Sequence, residues 1–211
     1  MTAPPGPWHW ECLDPVQREA ATALSSALNS RGAFLAGGSA LALRFGHRRS
    51  RDLDWFTTQA FNSLILAEEL AVNLPLTNVR TEPNTLHAEL NGVPISIIRF
   101  GYRVDPPDDT GIAPIAAVRT SSCMKLLAIV NRGYKRDFID LACLLRHGSG
   151  LPTLMMWAQA DLPALSRETM LRALTWFDDA DSQPMPACVP GWDWEQVKNE
   201  IRTAVRNAAL K

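Results

Sequence analysis

The sequence predicts an α+β protein, with a small mixed β-sheet flanked by helices and followed by a helical C-terminal part. Two observations lead to this class. Up to residue 100, short apolar or alternating segments bounded by glycine, proline or asparagine, as strands are, occur among segments with helical periodicity. After residue 114 the periodic segments are all helical. We therefore expect an α/β core with an N-terminal helix at 1–113 and a helical region at 114–211.

Composition and charge narrow the functional classes. The formal net charge is −1 and 46% of the residues are hydrophobic, so the chain can form a core but has no overall nucleic-acid signature. Any site for a polyanion must be a local patch. The four cysteines are scattered without metal-ligand spacing, which favours reduced thiols in a cytoplasm. No segment approaches about 18 consecutive apolar residues and no leader pattern opens the chain, so we expect neither a membrane span nor a signal peptide.

The first elements are a helix and two short strands. Residues 1–12 are rich in proline and are expected to form an irregular lead-in. Asp14 and Pro15 are typical of an N-cap and a first helical position, and Gly32 is the expected stop of this helix. The next expected elements are a buried strand at 33–36, a helix at 39–45, an alternating strand at 52–56 and a helix at 61–74.

Three strands and a run of helices complete the chain. Asn91-Gly92 predicts a type I′ hairpin turn. The segment 105–114, rich in proline and aspartate, predicts a loop. Ser166 predicts the cap of a later helix. The expected strands are 76–82, 85–91 and 93–100, and the expected helices are 115–131, 135–147, 153–160, 166–178 and 193–209.

The main functional signal is Gly37-Gly38-Ser39 followed, after twelve more residues, by Asp52-Leu53-Asp54. A strand, a Gly-Gly-Ser turn and a helix present backbone N–H groups to an anion. Asp52 and Asp54, two residues apart on a strand, point to the same face and can share a divalent cation. Each motif alone is also compatible with a plain tight turn or a solvated aspartate pair, and the turn lacks the Gly-Lys-Ser/Thr ending of a Walker loop. Together they predict a site for a nucleoside triphosphate and Mg²⁺.

This motif resembles the first motif of the AbiEii/AbiGii-type toxin nucleotidyltransferases, which belong to the DNA polymerase β nucleotidyltransferase superfamily. A second block of the sequence matches the same family. The resemblance covers about residues 30–147. It is carried by Phe34–Leu43, Gly46-His47-Arg48, Ser50 and Asp52–Phe56 in the first block, and by Lys125, Ala128, Arg132 and Lys135–Leu141 in the second.

The resemblance implies the nucleotidyltransferase fold, Mg²⁺, an NTP donor, and an active-site cleft completed by the helical region. Asp52 and Asp54 are then the metal-binding and catalytic carboxylates, and Gly38 and Ser39 contact the leaving phosphates. The expected reaction moves an NMP to a hydroxyl of RNA, for example a tRNA 3′ end, or of a protein. The resemblance also implies a role in phage defence or as the toxin of a toxin–antitoxin pair, with a cognate antitoxin as partner.

Related enzymes usually carry a third carboxylate on a later strand, and this sequence departs from that pattern. The expected strand has Ser96 at the polar position, and Glu89 in the preceding strand is the substitute candidate. Two alternatives to nucleotidyl transfer therefore stay open. One is a non-catalytic member that binds a nucleotide or a partner, and the other is a phosphotransferase using the same pocket.

Four charged residues of the second block are expected in the site. Lys125 lies on an apolar helix and either snorkels to solvent or reaches the triphosphate, and Arg132 lies on nearly the same face. Asp137 and Asp140 share a face of the next helix. Asp137 is either a first-turn residue favoured by the helix dipole, or one of the two aspartates pairs with Lys125 or Arg132 near the nucleotide. The resemblance makes Lys125 and Asp137 catalytic, and makes Lys125, Arg132 and Asp140 nucleotide-binding.

A basic cluster leads directly into the aspartate pair. It is either a solvated loop or a patch that holds NTP phosphates or an RNA backbone. Arg48 is the member expected to contact the nucleotide. The cluster spans eight residues and comprises Arg44, His47, Arg48, Arg49 and Arg51.

Overall fold

The computed structural model describes residues 7–209, so the first half of the expected lead-in lies outside the described residues. The chain divides into two compact units, Met1–Ala117 and Val118–Lys211. In their described parts, the first unit contains the β-sheet and three α-helices, and the second unit is helical. The predicted α+β class is confirmed.

The first unit begins with a capped helix. The Asp14 side chain accepts a hydrogen bond from the Gln17 backbone N–H, and the Gln17 side chain accepts one from the Asp14 backbone N–H, both at 2.8 Å. The helix ends in a 3₁₀ turn before Gly32, whose φ of 56° suits the predicted stop. The lead-in is not wholly irregular, because Trp10–Cys12 forms a 3₁₀ turn. The helices of this unit are α1 (Pro15–Ala27), α2 (Gly37–Phe45) and α3 (Ser63–Ala71).

A mixed seven-stranded sheet lies at the centre of the first unit, in the order β3-β4-β5-β2-β1-β7-β6. Strand β2 runs parallel to β5 and β1 runs parallel to β7, while the other neighbours are antiparallel. Asn91 and Gly92 have φ of 52° and 78°, as the predicted type I′ turn requires. The strands are β1 (Phe34–Ala36), β2 (Leu53–Thr57), β3 (Leu76–Glu82), β4 (Thr85–Leu90), β5 (Val93–Arg99), β6 (Asp108–Asp109) and β7 (Pro114–Ile115).

The expectation that 105–114 is only a loop is wrong. This segment contributes the two short strands β6 and β7, and Ile115 pairs in parallel with Leu35 of β1. Such pairing depends on a partner distant in the sequence and not on local strand propensity, so the composition of the segment does not reveal it.

Alternation along the strands gives the sheet one buried face. Leu53, Trp55 and Thr57 of β2 point inward, whereas Asp54 and Phe56 point to the opposite, half-buried face. The inward side chains of β2, β4 and β5 join apolar residues of α1, α2 and α3 in one core. Each fully buried leucine in such a core contributes about 1.5–3 kcal/mol. The opposite face of the sheet therefore carries Asp54 of β2 and Ser96 of β5.

The second unit consists of helices. The helix expected at 166–178 ends earlier, because α7 stops at Ala173 and α8 begins only at Asp178. Ser166 caps α7 as predicted, accepting a hydrogen bond from the Thr169 backbone N–H at 3.1 Å. None of the helices within residues 7–209 is both long and apolar enough to cross a membrane. The helices are α4 (Val118–Asn131), α5 (Lys135–Arg146), α6 (Leu151–Asp161), α7 (Arg167–Ala173), α8 (Asp178–Asp181) and α9 (Trp194–Ala209).

Candidate functional site

Two aspartates mark the start of β2. Asp54 lies on the half-buried face of the strand, and Asp52 lies one residue before the strand begins. Leu53 and Trp55 are fully buried on the other face. Because a shift of one residue would bury both carboxylates and expose a leucine and a tryptophan, core packing determines which way the aspartates point.

A sharp turn brings the start of α2 against Asp54. Ala36 of β1 is the register partner of Asp54, and the next residue, Gly37, has a φ of 63°. A Cβ atom on Gly37 would lie 2.9 Å from Asp54 Oδ2, and a Cβ atom on Gly38 would overlap the guanidinium group of Arg48. Gly37 is therefore favoured by its positive φ and its close approach to a carboxylate, whereas a side chain at Gly38 would displace the Arg48 guanidinium.

Ser39 links the start of α2 to Asp52. Its side chain is buried, and its hydroxyl donates a hydrogen bond to the backbone carbonyl of Asp52. The hydroxyl oxygens of Ser39 and Ser50 are 2.8 Å apart, and Ser50 Oγ lies 3.4 Å from Asp52 Oδ1. In this structure Ser39 therefore positions Asp52, and its contact with a leaving phosphate stays a prediction.

The basic cluster divides into buried and exposed residues, so it is not a wholly solvated loop. Arg48 is 4% exposed, lies against Gly38 and donates a 3.0 Å hydrogen bond to the backbone carbonyl of Arg49. Arg44 forms an ion pair of 2.5 Å with a carboxylate of β6. The side chains of Arg49 and Arg51 are exposed. The guanidinium predicted to contact the nucleotide thus lies at the glycine turn, and the contact itself stays a prediction.

A row of polar residues crosses the sheet from Asp54. Ser96 of β5 is the register partner of Asp54, and His87 of β4 is the register partner of Ser96. His87 Nδ1 and Ser96 Oγ are 3.1 Å apart. Glu89 lies opposite Pro94, so it is not in this row. Sequence reasoning missed His87 because a single histidine on a strand carries no local signal, and only the strand register brings it beside Ser96.

The carboxylate ligands at this site suit one divalent cation. Mg²⁺ is usually bound by one or two carboxylates together with water and substrate phosphates, and Asp52 and Asp54 supply two carboxylates. Within residues 7–209, no three or more His, Cys, Asp or Glu side chains are grouped so that they could hold a metal ion. Glu89 therefore does not complete a three-carboxylate site in this structure, and a second cation has fewer protein ligands.

In the second unit, Lys125, Arg132, Asp137 and Asp140 form one charged cluster. Lys125 Nζ lies 2.8 Å from a carboxylate oxygen of each aspartate, and Arg132 Nε lies 3.0 Å from Asp137 Oδ2. The predicted pairing of these aspartates with the two cations is confirmed. The Lys125 side chain is 4% exposed, so it does not snorkel to solvent. The two positive and two negative charges compensate one another, as buried ions require, while contact of the cluster with a nucleotide stays a prediction.

The charges of this cluster change the pKa of Asp137. Burial by itself raises this pKa, because it disfavours the charged carboxylate. The charges of Lys125 and Arg132, together with their hydrogen bonds to the carboxylate, outweigh burial, so the pKa lies below its ordinary value. Asp137 is therefore ionised at neutral pH and holds both cations in place.

The architecture is the nucleotidyltransferase fold. MenT4, a nucleotidyltransferase toxin from Mycobacterium tuberculosis, matches with a TM-score of 0.60 and 13% identity, over 91% of this chain and 82% of that chain. JHP933 from Helicobacter pylori matches with a TM-score of 0.57 and 16% identity, over 94% and 91% of the two chains. At these identities the likeness establishes the fold.

A sequence relative places the chain in a family. This chain is 31% identical to the uncharacterized protein aq_aa25 of Aquifex aeolicus. The match extends over 197 residues, which is 90% of this chain and 94% of that protein. The chain belongs to the family of aq_aa25. No family model matches the sequence.

Proposed function

We propose that this protein is a nucleotidyltransferase of the AbiEii/AbiGii type that moves an NMP from an NTP to a hydroxyl group. The observation that supports this most strongly is that the Asp54 carboxylate and the Arg48 guanidinium both lie against the Gly37-Gly38 turn at the start of α2. A helix N-terminus and a guanidinium attract phosphate. A nearby carboxylate pair repels phosphate, but it also binds a divalent cation, and the cation then lets a phosphate bind beside the carboxylates.

Each residue has a distinct role in this proposal. Asp52 and Asp54 hold Mg²⁺, which when bound neutralises charge on the leaving pyrophosphate. The backbone N–H of Gly38 and the Arg48 guanidinium bind phosphate oxygens of the NTP. Ser39 keeps Asp52 in place through its hydrogen bond to the Asp52 carbonyl.

The second unit carries a partly exposed cation of its own. Arg132 is 44% exposed at its side chain, whereas its partner Asp137 is fully buried. Asp137 therefore orients a guanidinium whose outer part meets solvent, where a nucleotide phosphate could bind it. Lys125 keeps Asp137 ionised and in place.

The proposed acceptor is RNA, for example a tRNA 3′ end, or a protein hydroxyl, and the proposed biological role is that of a cytoplasmic toxin with a cognate antitoxin or of a phage-defence protein. MenT4, which shares the fold, is a nucleotidyltransferase toxin. The exposed Arg49 and Arg51, which lie three residues and one residue before Asp52, suit the phosphate backbone of an RNA.

The reaction class is tested with NTPs labelled at either the α- or the γ-phosphate, incubated with the protein, Mg²⁺ and total RNA or protein as acceptor. Nucleotidyl transfer predicts α-label on the acceptor and γ-label in released pyrophosphate. A γ-label on the acceptor would instead identify a phosphotransferase. No label on any acceptor would contradict both reactions.

A second candidate function, nucleotide binding without transfer, is favoured by Ser96, which lies beside Asp54 where related enzymes usually carry a carboxylate. Thermal-shift measurements with each NTP, with and without Mg²⁺, measure binding. Intact masses of candidate acceptors measure transfer. Binding without any mass increase would favour this second function.

A further inference from the structure

We propose that Ser96 and His87 together accept the proton of the acceptor hydroxyl during transfer. This inference rests on the nucleotidyl transfer proposed above. A positioned group that takes the proton of an attacking hydroxyl typically speeds the reaction about 10²–10⁴-fold. The pair supplies such a group at the sheet position next to Asp54.

Strand register determines where the pair lies. Ser96 and Asp54 are partners on neighbouring strands, which are about 4.8 Å apart. Both side chains lie on the half-buried face, since Ile95 and Ile97 on either side of Ser96 are buried in the core. His87 is on the same face of the next strand and is also half-buried. The pair is therefore beside the proposed cation ligand and open to a substrate.

The chemistry of the two groups is complementary. A serine hydroxyl is a poor base by itself, whereas imidazole is the side chain that most often accepts protons in catalysis. The distance of 3.1 Å between Ser96 Oγ and His87 Nδ1 allows the hydroxyl to donate to the ring nitrogen when Nδ1 is unprotonated. The lone pairs of Ser96 Oγ are then available to the acceptor hydroxyl. Ser96 touches the substrate, and His87 acts through Ser96.

The step balances without any further reactant. The acceptor O–H bond breaks as its proton passes to Ser96 Oγ, and the original Ser96 proton passes to His87 Nδ1. The electron pair of the acceptor oxygen forms the new bond to the α-phosphorus. The bond from the α-phosphorus to the bridging oxygen breaks, and pyrophosphate leaves with that electron pair. The imidazolium afterwards returns its proton to water.

The experiment measures transfer from α-labelled NTP by the full chain and its variants. His87→Ala and Ser96→Ala are each expected to lower kcat about 100-fold or more, with little change in KM for the NTP. Thr85→Ala is the matched control, since Thr85 lies on the same face of β4 two residues from His87. It is expected to keep wild-type activity.

A carboxylate at position 96 distinguishes proton transfer from a structural role of His87. At saturating Mg²⁺, where a gain in metal affinity has no effect, adding Ser96→Asp to His87→Ala lets a carboxylate accept the proton directly, so activity should rise about tenfold or more above that of His87→Ala. Packing lost with His87 would not return in this way.

Three results would overturn the pair as the proton acceptor while transfer itself stands. The first is full activity of His87→Ala. The second is a loss of activity in Glu89→Gln while His87→Ala stays active, which would assign the proton to Glu89. The third is no recovery of activity in a folded Ser96→Asp/His87→Ala double variant. Absence of transfer by the wild-type protein would overturn the inference together with the proposed function.

Discussion

Asp54 and Ser96 are register partners on β2 and β5, two parallel strands that are neighbours in the sheet although a helix and two further strands separate them in the sequence. The residue at position 96 therefore shares the environment of the proposed cation ligand. A carboxylate there would strengthen a metal site, whereas a serine bonded to a histidine favours proton transfer. The residue at position 96 therefore bears on whether this site transfers a nucleotide or only binds one.

Gly38→Ala is expected to displace Arg48. A Cβ atom at this position overlaps the Arg48 guanidinium, which is the end of a long side chain and can move, so the cost in stability should be about 1 kcal/mol. Loss of a charge-assisted hydrogen bond to phosphate should raise the Kd for NTP about tenfold or more. Calorimetric titration measures the Kd.

Gly101→Ala is the control for this substitution, because a Cβ atom on Gly101 meets no atom within 4 Å. We expect it to bind NTP like the wild-type protein. Equal Kd values for Gly38→Ala and Gly101→Ala would contradict a role of Arg48 in binding phosphate.

Lys125→Met is expected to destabilise the protein strongly. It leaves the buried carboxylates of Asp137 and Asp140 without the ammonium that lies 2.8 Å from each. Removing one partner of a buried ion pair costs about 3–5 kcal/mol, which urea unfolding can measure. Adding Asp140→Asn removes one uncompensated charge and should restore part of the stability. A double variant less stable than Lys125→Met would contradict this account of the cluster.

The stability that Asp137 contributes should decrease in acid. Burial raises the pKa of Asp137, but Lys125 and Arg132 lower it by more, so its pKa is lower in the folded protein than in the unfolded chain. At a pH between these folded and unfolded pKa values, the folded protein therefore binds fewer protons at Asp137 than the unfolded chain does. The contribution is complete above the ordinary aspartate pKa of about 3.9 and is lost as the pH falls through the lower, folded value.

The measurement for this prediction is the difference in unfolding free energy between the wild-type protein and Asp137→Asn, determined in urea over a pH series. This difference should shrink as the pH falls from about 6 to about 3. A difference that stays constant over this range would contradict the lowered pKa.

The elements that the sequence predicts well are those with local causes. Asp14 and Pro15 start α1 through a cap and a preset φ, and Asn91-Gly92 forms its turn because both residues accept positive φ. The pairing of Ile115 with Leu35 has no local cause, because a two-residue strand exists only through its partner.

The same distinction applies to the candidate site. The half-buried position of Asp54 is predictable because alternation along a strand determines its face, whereas Asp52, which the sequence predicts on the same strand, lies just before β2 begins. The position of Arg48 against Gly38 depends on how the loop after α2 folds back, and no spacing rule describes it. The hydrogen bond of Ser39 to the Asp52 carbonyl depends on how α2 lies beside the start of β2, and the hydrogen bond between Ser96 and His87 depends on the sheet register.

The most direct test of the proposed function is the rate of transfer from α-labelled NTP by the wild-type protein, Asp54→Asn and Glu68→Gln. Glu68 is exposed on α3, so Glu68→Gln controls for loss of one negative charge. We predict equal rates for the wild-type protein and Glu68→Gln, and a loss of about 100-fold or more for Asp54→Asn with an unchanged melting temperature. Transfer at the wild-type rate by a folded Asp54→Asn variant would contradict the assignment of this site as the catalytic centre.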